Sequence, residues 1–434
     1  MPYESNPIWT FAALILAACA GPPGPAGANG IDGKDARTGA ARLLDERIRG
    51  WTDTARSRLN GLLTEKGRAS ADYDPKTRPV AAFDWDNTVF KNDMGDATFY
   101  WMVRHDKILQ PPGKDWSASN ANLTPAAKAA LNAACDGAGA PGSPLATSSN
   151  TGCADEIFTI YDSAKTRAGA DAFNHSVTLT QNQAYLWLAQ LGAGYPMGEL
   201  REFARAAYDE NAYAPAGSTQ TVGTTSGVTA WGRIYDQMND LIGALHANGF
   251  DVWIVSASPQ WVVEPVAEHV GVDADHVVGI RTVFAGGKAT SALQGCGGVA
   301  DGPDAPITFE NGKRCWINKV VFHMSDGPAQ LLPNPDPKQR QVFAAGDSDT
   351  DIAFVKDATS LKLTLNRNKT ELMCNAYANA GGKWVVQPMF IGPKSQKTSG
   401  YACSTAKDAA GNPIVDENGQ PIPDQADSVF TLGQ

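Results

Sequence analysis

The 434-residue chain is short of histidine, basic runs and long apolar stretches, and each shortage removes a class of function. There are six histidines (His105, His175, His246, His269, His276 and His323), and no two stand at the short spacing that places both on one metal, which disfavours a His-based zinc site. The 36 Lys and Arg against 46 Asp and Glu leave a net charge of −10. With no basic run to track a phosphate backbone, nucleic acid is not an expected partner. The longest N-terminal apolar run, Ile8 to Ala20, falls well below the roughly 20 residues of a membrane-spanning helix. What remains, 43% hydrophobic and 19% charged residues, suits a globular protein of two or three folded units.

The apolar run reads as the core of an export signal. Its end, Leu16-Ala17-Ala18-Cys19, resembles the lipobox of bacterial lipoproteins, which implies lipidation of Cys19 and a membrane anchor or a periplasmic location. Glycine then recurs every third residue from Gly21 to Gly33 among prolines, a collagen-like pattern read as an extended tether. The six other cysteines fall into local pairs, Cys135 with Cys153, Cys296 with Cys315 and Cys374 with Cys403, as expected of an oxidising compartment.

Apolar runs at Val80–Phe83, Val252–Val255, Gln341–Ala345 and Leu361–Leu365 read as buried strands, with a helical pattern from Ile234 to Leu245 closed by Gly249. The fold class expected is α/β, a doubly wound parallel sheet whose strand ends line a crevice. More than 150 residues of mainly helical pattern, including Gln183–Leu191 and Met197–Tyr208, separate the first two strands, too many for one crossover. The expected organisation is a signal over 1–19, a linker over 20–38, a core from 39–90 and 246–400, an inserted helical cap over 91–245 and a tail over 401–434. The tail repeats AAGNPIVD and ENGQPIPD and reads as surface turns, and Gly137–Gly142 matches GxGxxG by letter only, since no strand precedes it.

Chemistry gathers at the strand ends. Asp84-Trp85-Asp86-Asn87-Thr88 presents two carboxylates two residues apart, able to face one ligand and to hold a divalent cation. Ser256-Ala257-Ser258 follows the second strand and offers a hydroxyl and loop amides to a phosphoryl oxygen. A lysine before the third strand would neutralise nucleophile and phosphate. Lys319 is favoured, with Lys313 as competitor, after a hairpin expected at Asn311-Gly312. Gly346-Asp347-Ser348-Asp349-Thr350-Asp351 releases three alternating acids after the third strand.

In this order the four pieces resemble the haloacid dehalogenase (HAD) superfamily from about Val80 to Leu365. The resemblance implies Asp84 as the nucleophile that becomes an aspartyl-phosphate and Asp86 as general acid and base. It implies Mg²⁺ held by Asp84, the Asp86 backbone carbonyl, Asp347 and Asp351, with Ser256 and Lys319 on the phosphoryl group. Dehalogenases of the superfamily lack the second acid, so Asp86 argues for phosphate transfer. The insertion after Thr88 resembles the family's cap, and the phrases DWDNT and SAS look most like bacterial phosphorylcholine phosphatases and phosphoserine-type enzymes. The expected activity is therefore an exported Mg²⁺-dependent phosphomonoesterase acting on a small phosphate ester. The alternatives are a phosphotransferase or mutase, or a surface lipoprotein that binds phosphoesters without turnover. Tyr100, Trp101, Tyr161, Tyr185, Trp187 and Tyr195 with Asp93 and Asp96 are candidates for a cationic headgroup site.

Overall fold

The protein was analysed as a computed structural model, which describes residues 39–175 and 177–430. The signal, Cys19 and the glycine-rich tether lie outside the described residues. Ala40–Gln434 form one compact unit. Its centre is a six-stranded sheet built from β1 (Val80–Phe83), β2 (Asp251–Pro259), β3 (Val277–Ile280), β4 (Phe343–Gly346), β5 (Leu361–Asn366) and β6 (Trp384–Pro388). Every pairing is parallel, and the order across the sheet is β6-β5-β4-β1-β2-β3.

The apolar runs are continuous because both faces of the sheet are covered. Alternation sends Ala81 and Phe83 into one core cluster, shared with Leu59 and Leu62 of α1 (Asp53–Lys66) and with Leu241 and Leu245 of a later helix, while Ala82 faces a second cluster with Phe354 and Leu372. That order puts a switch point between β1 and β4. From β1 the chain runs outward through β2 and β3, then returns to β1's other side. At such a point the connections leave in opposite directions and open a crevice beyond the carboxyl ends of the strands.

Between β1 and β2 lie the helices α2 (Met94–Arg104), α3 (Pro125–Cys135), α4 (Thr151–Ser163), α5 (Gln183–Leu191), α6 (Met197–Tyr213) and α7 (Asp236–Ala247), with short two-stranded ribbons among them. Their buried residues Phe99, Trp187 and Leu200 belong to the same apolar cluster as Phe83 of the sheet. All three expected disulfides are present: Cys135–Cys153 joins the end of α3 to the start of α4, and Cys296–Cys315 and Cys374–Cys403 close the other two local loops. No described helix is long and apolar enough to cross a membrane. The tail turns are built as the sequence suggests, with Asp408 and Asp416 each accepting backbone N–H bonds two and four residues on, while Ile414 and Ile422, each six residues after its aspartate, are buried.

Two local expectations change. The second strand does not stop at Val255 but continues through Ser256 to Pro259, because its pairing with β3 resumes after an irregularity between Val255 and Pro259. Asn311-Gly312 is no hairpin; it opens the short helix α9 (Asn311–Trp316) that follows α8 (Gln260–Ala267) in the chain. Gly312 is required there, since a Cβ would lie 1.7 Å from the carbonyl oxygen of Ile307.

Candidate active site

The site is assembled from strand ends on either side of the switch point. Asp84 follows β1 directly and its backbone N–H donates to the carbonyl of Ala345 in β4 at 2.9 Å. The chain then turns tightly, with the N–H groups of Val89 and Phe90 both donating to the carbonyl of Trp85, and Asn87 takes a φ of 64°. Asparagine tolerates that left-handed conformation better than most residues. The turn sends Asp86 to one side and folds Thr88 back, so that the Thr88 hydroxyl lies 3.0 Å from Oδ2 of Asp84 and 2.9 Å from Oδ1 of Asp347.

Asp347 and Asp351 come from the loop after β4. Oδ2 of Asp351 accepts the N–H groups of Asp347 and Ser348, each at 3.0 Å, which fixes the loop on itself. Gly346 makes room for that closure: a Cβ there would lie 2.7 Å from the Cβ of Asp351. Carboxylate oxygens of Asp84, Asp347 and Asp351 all fall within 4.8 Å of one another, and all three residues are buried. Two cations enter the cluster. Lys313 Nζ donates to Oδ1 of Asp84 and to Oδ1 of Asp351, both at 2.6 Å, and Arg367 donates to Oδ2 of Asp347 at 2.6 Å.

Burial pushes Asp84 well above the usual carboxylate range, and the neighbouring Asp351 adds to the rise against the pull of Lys313. Burial alone would lower Lys313, but Asp351 and Asp84 outweigh it and hold the ammonium charged. Asp86 stands apart from this cluster over the same pocket. Its Oδ1 accepts the N–H of Met94, the first residue of α2, at 2.7 Å, and its Oδ2 faces the hydroxyls of Ser258 at 2.7 Å and Ser256 at 3.3 Å. Burial, with Asp93 next, raises Asp86 to about 8, so it carries a proton at neutral pH.

An all-oxygen set of three buried carboxylates suits a hard divalent cation such as Mg²⁺, which prefers oxygen ligands and tolerates few protein groups. Asp84, Asp347 and Asp351 would hold it. The Asp86 carboxyl group is engaged with α2 and the serines, leaving only its backbone carbonyl for the ligand role.

The structure corrects the lysine. Lys313, wholly buried, occupies the position expected of Lys319, whereas Lys319 is exposed, donates to the carbonyl of Gly295 at 2.5 Å and lies 4.9 Å from the ring of Trp316. The cause is the helix at Asn311. Six residues further on, roughly one and two-thirds helical turns, Lys319 emerges on a different side. Ser256 joins the cluster only through Asp86, buried with its carbonyl accepting from Thr308 at 2.5 Å, while Ser258 and Ala257 line the pocket itself. Thr88, Ser258 and Arg367 were not singled out from the sequence. Arg367 carries the one available signal, its place directly after a strand that ends at Asn366.

The catalytic cavity, about 110 Å³, is lined among others by Asp84, Asp86, Asp93, Ser258 and Arg367. Asp93 caps α2, accepting the N–H of Asp96 at 2.9 Å, and Asp96 accepts the hydroxyl of Tyr161 at 2.8 Å. Both residues are half-buried, and of the two only Asp93 lines this cavity. Burial raises both above the ordinary range, Asp96 further, with Asp93 its next cause.

Residues 164–356 match the family profile of haloacid dehalogenase-like hydrolases, a span that holds Ser256, Lys313, Asp347 and Asp351 but not Asp84 or Asp86. Among solved structures, a conserved protein of unknown function from Anaerococcus prevotii is similar at 20% identity and a TM-score of 0.58, over 80% of this chain and 94% of that one. A protein of unknown function from Bordetella pertussis aligns at 17% identity and a TM-score of 0.41, over 72% and 99%. A substrate-bound phosphoserine phosphatase aligns at 13% identity and a TM-score of 0.29, over 66% and 86%. No curated protein matches the sequence.

Proposed function

From the premise that this chain carries a haloacid dehalogenase-like hydrolase domain, we propose that it is a Mg²⁺-dependent phosphomonoesterase working through an aspartyl-phosphate on Asp84. The observation that carries the reading is the disposition of two acids over one pocket: Asp84 tied to Lys313 and Thr88 beside Asp347 and Asp351, and Asp86 turned away onto Ser258 and α2.

A carboxylate oxygen of Asp84 attacks phosphorus and the bond to the ester oxygen breaks, while Asp86 gives its proton to the departing oxygen. Asp86 then takes a proton from water, whose oxygen attacks the phosphorus and returns Asp84 as carboxylate with inorganic phosphate released. Lys313 supplies a fixed positive charge beside the nucleophile throughout, and the α2 N–H at Met94 together with the Ser258 hydroxyl orients Asp86. Mg²⁺, when bound, neutralises negative charge between the phosphate and Asp84, so that the two anions can approach.

The finer reading is an exported enzyme, anchored through a lipid on Cys19, that takes a small phosphate ester with a cationic end such as phosphorylcholine or another amino-alcohol phosphate. Three disulfides support an oxidising compartment, and Asp93 and Asp96 beside Tyr161 support a cationic leaving group. Phosphate release from p-nitrophenyl phosphate, measured with Mg²⁺, after chelation and after re-addition, tests the reaction. Turnover should appear, vanish and return. A protein that binds phosphate esters but releases none would instead be a receptor.

A further inference from the structure

Beside the catalytic cavity lies a second, larger one of about 420 Å³, and the two share Asp93, Tyr161, Tyr185 and Arg367 in their walls, so a bound ester can extend from one into the other. The larger chamber has two kinds of lining. One is acidic and aromatic, with Asp93, Asp96, Tyr100 and Tyr161; the other is cationic, with Lys91, Arg367 and Lys394. Three positive charges lining one chamber, with Lys394 and Arg367 both acting on Lys91, repel one another unless an anion lies between them. Yet among the described residues neither Lys91 nor Lys394 makes an ion pair, and Arg367 engages Asp347 through a single nitrogen. Lys91 is half-buried, and burial first, then Lys394 and Arg367, lowers its affinity for a proton.

We infer that Lys91, Arg367 and Lys394 form an anion subsite for the leaving group, so that the preferred ester carries a carboxylate as well as a cation beyond its phosphate. The inference rests on the phosphomonoesterase reading and narrows its substrate class. A carboxylate fits better than a second phosphate because Asp93 and Asp96 line the same chamber and would repel a dianion more strongly. Arg367 gives the subsite its bridging position: it lines both cavities while bonded to Asp347, which places an anion it holds next to the reacting centre without displacing Lys313.

Four esters separate the charges: phosphoserine carries both, phosphoethanolamine the ammonium alone, 3-phosphoglycerate the carboxylate alone, and p-nitrophenyl phosphate neither. With the full chain and Mg²⁺, kcat/KM for phosphoserine should exceed that for phosphoethanolamine by about tenfold or more, the range expected of one charge-assisted contact. The double variant Lys91→Met, Lys394→Met should bring the two within about twofold, mainly through KM, and leave p-nitrophenyl phosphate turnover unchanged. Equal rates for the wild type on the first two esters, or a preference that survives in the double variant, would overturn the subsite while leaving the phosphatase intact. Should no ester be hydrolysed, the phosphatase reading fails, and calorimetry still decides the subsite. Serine should bind the wild type more tightly than ethanolamine and lose that advantage in the double variant; equal binding of the two overturns the inference.

Discussion

Two sets of carboxylates lie within one cleft, one buried and one half-buried, and their charges are met in different ways. Asp84, Asp347 and Asp351 meet cations supplied by the chain itself, Lys313 and Arg367, at 2.6 Å. Asp93 and Asp96 accept a hydroxyl and the first amides of α2 and, among the described residues, form no ion pair, with Arg367 near enough to Asp93 only to favour its charge. Both sets carry a desolvation cost, but only the first is offset by ion pairs within the chain; on the proposed reading, a positively charged ligand would complete the second. Under the proposed function the contrast divides chemistry from recognition: charge balanced by the fold serves the reaction, and charge without an ion pair serves the substrate.

The strongest way to break the comparison is to remove the nucleophile. Asp84→Asn should lower kcat by at least about 1,000-fold on any ester while circular dichroism and Tm stay close to wild type, because an amide attacks phosphorus too poorly. Asp86→Asn should be severely slowed yet still label with phosphate, having lost proton transfer but not attack. Near wild-type turnover by Asp84→Asn would end the covalent mechanism. Next is the lysine pair. Lys313→Met should cost about 100-fold or more in kcat/KM and, without Mg²⁺, should also destabilise the chain, because it leaves Asp84 and Asp351 buried without their cation. Lys319→Met should stay within about twofold, since Lys319 is exposed and its hydrogen-bond partner is a backbone carbonyl. Reversal of that ranking would move the phosphate lysine back to Lys319.

A smaller effect sharpens the second set. Asp93→Asn or Asp96→Asn should reduce the preference for amino-alcohol esters over p-nitrophenyl phosphate by about tenfold, visible in the ratio of kcat/KM values. Equal losses on both substrates would assign these acids to the fold alone. The smallest expected change is thermal. Asp96 titrates above its ordinary 3.8 in the folded chain, so folding opposes its ionisation, and stability contributed by the protonated form is lost as pH rises above that value. Without ligand, Asp96→Asn should therefore raise Tm at pH 7 by about 1–3 °C, discounted for its partly open surface, and the gain should shrink towards pH 4. A gain equal at both pH values would mean that charge is not its source.

The sheet was readable because strands covered on both faces leave continuous apolar runs, and Val80–Phe83 sits where its pattern puts it. The acids were readable because they follow such runs directly: Asp84 after β1 and Asp347 after β4 need only a parallel sheet to meet. Lys313 was legible only as one of two lysines. It lies far from any strand end, and its placement depends on whether Asn311-Gly312 turns or winds, which is tied to a contact across the fold, the Asn311 N–H donating to the Leu179 carbonyl at 2.9 Å. Arg367 and Ser258 escaped for a similar reason. Which hydroxyl of Ser256-Ala257-Ser258 faces the pocket follows from an irregularity in the β2 and β3 pairing, a relation between strands that neither strand's own sequence displays.

The position of β1 at the middle of the sheet also orders events in time. Both of its neighbours, β2 and β4, come later in the chain, and the contacts that complete the cluster span 229 positions from Asp84 to Lys313 and 259 from Thr88 to Asp347. A chain made from its N-terminus therefore displays Asp84 long before Lys313 can reach it, and closing such non-local contacts is slow. Until α9 brings its lysine and β4 docks, Asp84 lacks Lys313 and Thr88 lacks Asp347, whereas the partners of Asp86, Met94 and the serines of β2, come earlier in the chain. The cluster is thus completed late in folding, and a nascent or truncated chain that lacks the segment after Thr308 carries Asp84 without Lys313, Asp347 or Asp351.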